Sequence, residues 1–133
     1  MVWKENKTEQ TDLKALPTML VVASNPTVLK LLTMALSLEL ACEVFTVDNP
    51  SKAEESARRL KPSLLILDEE IINAKAHELS DHLHRIAGLE QLPTLFINAE
   101  VLPQIESKCY PTCFLTWSWK LEAFYAAVRT LLD

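Results

Sequence analysis

Glycine is almost absent from this chain: Gly88 is the single glycine in 133 residues. Nucleotide-binding folds use glycine-rich loops because the backbone must approach the phosphates closely. Gly88 lies in the loop before a predicted strand, so no such loop can be assembled here. The sequence therefore gives poor support to dinucleotide or P-loop chemistry.

Long apolar runs and basic clusters are also missing. No stretch is long enough to span a bilayer, and the N-terminus, with Lys4, Glu5, Lys7 and Glu9, has no hydrophobic signal-peptide core. The net charge is -5, whereas nucleic acids and anionic membranes favour clustered Lys and Arg. We therefore expect a cytoplasmic location, with neither nucleic acid nor membrane as a partner.

Cysteine is too scarce for a disulfide framework or a zinc site. Cys42, Cys109 and Cys113 cannot all pair within one chain, and no secretory signal favours their oxidation. The gap between Cys109 and Cys113 is one residue longer than in thioredoxin-type redox sites, and no second pair completes a zinc site. We interpret the three as packing thiols and expect no metal and no cofactor.

The chain does contain an alternation of strand and helix patterns. Ser24 or Asn25 can cap a helix that has Pro26 at its first position, and Asp48-Asn49-Pro50 repeats this signal of a cap followed by a proline. The predicted strands are 18–22, 43–47, 63–68, 94–98 and 112–116, and the predicted helices are about 26–41, 50–60, 74–86, 102–108 and from 119 onward. With right-handed crossovers this pattern predicts a doubly wound α/β domain over residues 18–133. Its five-stranded parallel sheet has the order 2-1-3-4-5, with helices on both faces.

We expect residues 1–17 to be an N-terminal extension to that domain. Trp3, Leu13 and Leu16 lie among mixed charges, so the segment either folds back as a short lid or is a flexible end.

Asp68 ends the apolar run Ser63-Leu-Leu-Ile-Leu-Asp68, which is typical of a strand buried on both faces. Open α/β sheets bind their ligands at the carboxyl edge, where this carboxylate is placed. On the chain leaving the strand, Glu70 can converge with Asp68 while Glu69 points away. The alternative role of Asp68 is to accept hydrogen bonds from loop amides.

A family resemblance is found in the order of four segments: Met19-Leu-Val-Val22, Arg59-Leu-Lys-Pro-Ser-Leu-Leu-Ile-Leu-Asp68, Leu92-Pro-Thr-Leu-Phe-Ile-Asn98 and Phe114-Leu-Thr-Trp-Ser-Trp119. With these segments the chain resembles, from about Thr18 to Leu132, the receiver domains of bacterial response regulators. It implies a flavodoxin-like fold. It also implies that Asp68 is the phosphoacceptor, which receives a phosphoryl group from a histidine kinase.

The other positions that the resemblance makes functional depart from the family pattern. Ala23 and Ser24 stand where receivers carry the acidic pair that holds Mg²⁺. Asn98 replaces the Thr or Ser that senses the phosphoryl group, and Trp117-Ser118 replaces the Lys-Pro pair. Phe114 falls at the aromatic switch position, where we interpret it as a core side chain.

Phosphoryl transfer is catalysed by positioning and charge neutralisation, and these departures remove both the metal ligands and the cation. We therefore expect a pseudo-receiver that is not an enzyme: a phosphorylation-independent protein-interaction module in bacterial signal transduction. One alternative is an atypical receiver in a phosphorelay, phosphorylated on Asp68, with Glu69 or Glu70 holding the metal. Another is a pseudo-receiver that docks a partner domain or a small apolar ligand.

Two surfaces are candidates for binding a protein partner or a second copy of the chain. The first predicted helix is apolar around nearly all of its circumference, and Leu36 is its test position. The region of Phe114, Trp117 and Trp119 is the other, and we favour it because receivers dock partners through that side.

His77, Asp81 and His84 are spaced by four and three on the third predicted helix, as in a metal-binding helix. Their face points away from Leu79 and Leu83, so we expect a solvated surface. No serine or cysteine nucleophile accompanies the histidines, which argues against a hydrolase.

Overall fold

The structure is a computed structural model that describes residues 16–71, 75–99, 108–116 and 118–133. Within these ranges the chain forms five strands and four helices. They are β1 (Thr18–Val22), α1 (Pro26–Glu39), β2 (Glu43–Val47), α2 (Pro50–Leu60), β3 (Leu64–Asp68), α3 (Ala76–Leu83), β4 (Thr94–Ala99), β5 (Thr112–Thr116) and α4 (Leu121–Leu132).

The strands form one parallel sheet in the order β2-β1-β3-β4-β5, which confirms the predicted fold. β3 and β4 are buried along their whole length, as expected of central strands covered on both faces. Asp68 pairs in register with Ile97, and a register shift between Ile97 and Ala99 interrupts the pairing of β4 with β5. The carboxyl ends of β3 and β4 thus lie side by side.

Both predicted helix caps are formed. The Asn25 side chain accepts hydrogen bonds from the backbone N–H groups of Thr27 at 2.8 Å and Val28 at 3.4 Å. The Asn49 side chain accepts one from the backbone N–H of Lys52 at 2.9 Å. These bonds satisfy amides that have no partner within the first turn of a helix, so α1 and α2 begin where the sequence predicts.

The sheet separates two apolar clusters. Helices α1 and α4 cover one face, where Leu36 and Phe124 pack on Val21 and Ile66. Helices α2 and α3 cover the other, where Ala53 and Leu83 pack on residues that alternate with the first set. These residues are Leu20, Val22, Leu65, Leu67 and Phe96.

Several predicted boundaries differ from the structure. Helix α3 ends at Leu83 rather than near Ile86, because the chain turns after His84. Helix α1 ends at Glu39, α4 begins at Leu121 rather than near Trp119, and β4 extends to Ala99.

The predicted helix over 102–108 lies outside the described residues except for Lys108, and so do residues 1–15 of the predicted extension. Among the described residues, no helix is both long and apolar enough to cross a membrane.

Candidate functional site

Asp68 lies at the carboxyl edge of the sheet, and only 3% of its surface is exposed. Its Oδ1 atom accepts a hydrogen bond from the backbone N–H of Glu70 at 2.9 Å. The same oxygen accepts a second bond from the side-chain amide of Asn98 at 3.1 Å. The expectation that Asp68 accepts hydrogen bonds from a loop amide is confirmed, and the side-chain bond adds a direct link to β4.

Asn98 supplies that link from an unusual backbone conformation. Its φ is 58°, in the left-handed region that Asn tolerates better than most residues. It lies at the register shift between Ile97 and Ala99, and such irregularities redirect a side chain at the end of a strand. Asn98 is therefore buried with its amide group turned toward Asp68.

Trp119 extends this arrangement. Its indole N–H donates to Oδ1 of Asn98 at 3.1 Å, and its ring stacks on Phe124 of α4 at 5.4 Å between centroids. Trp119, Asn98 and Asp68 thus form a continuous hydrogen-bonded series, called here the polar chain. It connects the end of β3 to the segment that leads into α4.

A cleft of about 350 Å³ opens beside Asp68 and is lined by Ser24, Asn25, Pro26, Asp68 and Glu70. Ala23, the other residue at the predicted metal position, is fully buried, and its backbone N–H donates to the carbonyl of Val47. As predicted, Glu70 faces the cleft with Asp68. Among the residues that the structure describes, the lining thus combines two carboxylates with no basic side chain.

The donor set of this cleft does not fit a dedicated Mg²⁺ site. No three His, Cys, Asp or Glu side chains converge to hold a metal ion within the described part of the chain. The Asn25 oxygen caps α1, and Oδ1 of Asp68 already accepts two N–H groups. Mg²⁺ demands near-octahedral oxygen ligands at short distances, and the oxygens committed to N–H groups are poorly placed to supply them.

Glu69 points to the other side of the β3 exit, as predicted. Its carboxylate lies 3.0 Å from Nε2 of His77, whose ring stacks on Phe96 at 4.4 Å. Phe114 stacks on Phe96 at 5.0 Å and packs against the cluster between the sheet and α2 and α3. These contacts support the interpretation of Phe114 as a core side chain.

Leu36 is wrong as an interaction candidate, because it is fully buried between α1 and the sheet. The large apolar side chains that α1 exposes are Leu31, Met34 and Leu38. The apolar pattern of α1 extends around the helix, so the sequence alone could not select its buried face.

Trp119 is half-buried, with both its N–H and its ring engaged inside the domain. The structure therefore gives this interaction candidate contacts inside the domain, at the site itself. Trp117 lies outside the described residues.

The prediction that His77, Asp81 and His84 share a solvated face is also wrong. His84 is buried, with its ring stacked on Tyr110 at 3.4 Å between centroids. Only Asp81 of the three is largely exposed. The contact with Tyr110 was not predicted, because Tyr110 lies more than twenty residues after His84 in the sequence and no local pattern pairs the two.

The three cysteines are free thiols. Burial raises the pKa of both Cys42 and Cys113 above the ordinary thiol value. A raised pKa lowers the thiolate fraction near neutral pH, which supports packing roles for these two residues.

Comparison with solved structures places this architecture among receiver domains. The chemotaxis protein CheY4 of Vibrio cholerae superposes with a TM-score of 0.79 at 16% identity, covering 89% of this chain and 100% of that one. A response regulator from Chloroflexus aurantiacus gives 0.74 at 18% identity, covering 88% and 98%. The likeness at these identities establishes the fold.

The receiver domain of a sensor histidine kinase from Pseudomonas aeruginosa, solved with magnesium coordinated in its active-site cleft, gives a TM-score of 0.75 at 16% identity, covering 89% and 98%. No protein-family sequence model and no curated protein sequence matches the chain.

Proposed function

We propose that this chain, which has the fold of the response-regulator receiver domains, is a non-catalytic receiver-like module that binds a protein partner without being phosphorylated. The proposal places it in a bacterial, cytoplasmic signalling pathway. Its central observation is the polar chain of Trp119, Asn98 and Asp68. These bonds hold the end of β3, the end of β4 and the start of α4 together without any added group.

Within the polar chain, the hydrogen-bonding groups of Asn98 are occupied by protein partners and are not available to a phosphoryl group. Asn98 donates to Asp68 and accepts from Trp119, so both ends of its amide group are engaged. The carboxylate of Asp68 is nearly buried, which limits its access to a phosphodonor. The site therefore supports a fixed conformation better than a phosphorylation switch.

The charge of the cleft supports the same conclusion. A phosphoryl group adds almost two negative charges, and Glu70 already faces the cleft beside Asp68. Like charges at short distance destabilise each other unless a metal or cation neutralises them. The residues at the family's metal and lysine positions are Ala23, Ser24 and Trp117, which carry no charge.

The second candidate function is phosphorylation of Asp68 in a phosphorelay, with Glu70 assisting a metal. The observation in its favour is that both carboxylates line one cleft. The two carboxylates in the same lining make this cleft unsuited to the small apolar ligand of the remaining alternative.

Treatment with acetyl phosphate and Mg²⁺, followed by intact-mass spectrometry, tests the proposal. We expect no phosphoryl adduct on the wild-type chain, and an unchanged amide NMR spectrum after addition of beryllofluoride and Mg²⁺. A receiver known to be phosphorylated by acetyl phosphate serves as the positive control for the reagent. A stoichiometric, base-labile adduct that disappears in Asp68→Asn would establish the phosphorelay function instead.

A further inference from the structure

His84 follows α3 and has 7% of its surface exposed. Its Nδ1 lies 2.6 Å from the carbonyl oxygen of Ser80, and its Nε2 lies 2.8 Å from the carbonyl oxygen of Leu92. A carbonyl oxygen only accepts hydrogen bonds, so each contact requires a proton on the ring nitrogen. A neutral imidazole has one N–H group and satisfies one of the two carbonyls.

We infer that His84 is a buried imidazolium whose two N–H groups fasten the end of α3 to the start of β4. Ser80 belongs to α3, and Leu92 lies two residues before β4. The two bonds bridge a loop that contains no strand or helix of its own. His84 has no role in the function proposed above.

The hydroxyl groups beside Nδ1 are consistent with a proton on that atom. Tyr110 donates its hydroxyl proton to Asp81 at 3.3 Å, and its oxygen lies 2.9 Å from the hydroxyl of Ser80. Ser80 then donates to Tyr110 and has no proton left for Nδ1, which is 3.4 Å away. Burial raises the pKa of Tyr110 to about 12, so the phenol keeps its proton where histidines titrate.

The hydroxyl of Thr94 is the alternative hydrogen-bond partner of Nε2. Its hydroxyl, fully buried, lies 3.1 Å from Nε2 of His84 and 3.0 Å from the carbonyl oxygen of Leu92. When Nε2 carries a proton, both His84 and Thr94 donate to Leu92. When that proton is lost, Thr94 can turn to Nε2, but the Leu92 carbonyl then faces a lone pair and loses both donors.

The charged side chains around the ring nearly balance, so they favour neither the neutral nor the protonated form of His84. A cavity of about 480 Å³ next to the ring contains two acids, two bases and a thiol: Asp81, Glu90, Arg85, Lys108 and Cys109. Asp81 pairs with Lys108 at 3.5 Å. Burial disfavours a cation, whereas the two carbonyls and the face of Tyr110 favour it.

Long-range ¹H–¹⁵N NMR of the histidine rings tests the protonation state directly. At about pH 6 we expect both ring nitrogens of His84 to carry protons. A single protonated nitrogen would overturn the inference, and this result does not depend on any variant folding.

Urea unfolding tests the contribution of these two bonds to stability. His84→Gln, whose amide cannot donate to both carbonyls, should unfold at a lower urea concentration than the wild type. His82→Gln is the matched control at an exposed histidine and should keep the wild-type midpoint. A wild-type midpoint in His84→Gln would contradict the inference.

Discussion

The side-chain amide of Asn98 donates to the carboxylate of Asp68 at 3.1 Å from a backbone whose φ is 58°. This position therefore has two requirements, a carboxamide that reaches β3 and a residue that tolerates the left-handed region. A hydroxyl residue, as receivers carry here, would have a shorter reach toward Asp68. The polar chain depends on both properties of Asn98.

Asn98→Ala and Asn98→Gly separate these two requirements. Both variants lose the bonds to Asp68 and Trp119, and leaving buried polar groups without partners should cost about 1–3 kcal/mol of unfolding free energy. Asn98→Ala should lose about 1 kcal/mol more, because its Cβ is strained at positive φ whereas glycine has none. Urea unfolding measures both values. Wild-type stability in Asn98→Gly would show that the side-chain bonds contribute little.

Trp119→Phe tests the other end of the polar chain. Phenylalanine keeps an aromatic ring against Phe124 and removes the indole N–H that donates to Asn98. We expect a loss of about 0.5–1.5 kcal/mol, the usual net value of one hydrogen bond. Trp119→Leu, which also removes the aromatic stack, is the comparison and should lose more. Equal stability of wild type and Trp119→Phe would argue against a structural role for the indole N–H.

The fold could be predicted because its signals are local. Asn25 and Asn49 each stand before a proline at a helix start, and the apolar run ending at Asp68 marks a central strand. Short right-handed connections then leave few arrangements of such elements. The strand order and the position of Asp68 at the sheet edge followed from these rules.

The side-chain contacts of the site could not be predicted in the same way. The bond from Asn98 to Asp68 depends on a register shift between strands, and the sequence signal for it was an asparagine at a strand end, a residue enriched at positive φ. His84 was assigned to a helix face, but α3 ends one residue earlier and the ring turns inward. Both outcomes depend on contacts between distant segments.

The buried face of α1 was also decided by distant contacts. The hydroxyl of Tyr125 in α4 donates to the carbonyl of Ala35 at 2.8 Å, and Ala35 and Leu36 are buried in the apolar cluster that α1 and α4 share. A helix that is apolar nearly all around offers no periodic signal for this choice.

Leu36→Glu and Leu38→Glu form a matched pair on α1. Leu36 is fully buried and Leu38 is 78% exposed. A carboxylate at position 36 should cost several kcal/mol, because it creates an unpaired buried charge, whereas the change at position 38 should alter stability by less than about 0.5 kcal/mol. Thermal unfolding measures this difference. Comparable destabilisation by the two changes would contradict the assigned orientation of α1.

Leu38→Glu also tests whether the chain self-associates through the exposed side of α1. If the exposed side chains of Leu31, Met34 and Leu38 contact a second copy, Leu38→Glu should weaken self-association while the domain remains folded. Sedimentation velocity over a range of concentrations provides the measurement. Identical sedimentation of wild type and Leu38→Glu would exclude a contribution of Leu38 to self-association.

Glu54 provides a prediction for acidic pH. Its carboxylate lies 2.9 Å from Nε2 of His82 and accepts a hydrogen bond from Arg58 at 2.9 Å. The bond with His82, followed by that with Arg58, lowers the pKa of Glu54 below its ordinary value. Since the folded state holds this proton less tightly, the stabilisation is present above the ordinary pKa and is lost as pH falls through the lowered one.

His82→Ala should therefore move the titration midpoint of Glu54 upward, toward its ordinary value, in carboxyl-detected NMR. Arg58→Ala is the matched control and should produce a smaller upward shift, because the bond with His82 is the larger cause. The Glu54 side chain is 36% exposed, so solvent partly screens the interaction and global stability should change little in either variant. An unmoved midpoint in His82→Ala, or a larger shift in Arg58→Ala, would show that Arg58 rather than His82 dominates the environment of Glu54.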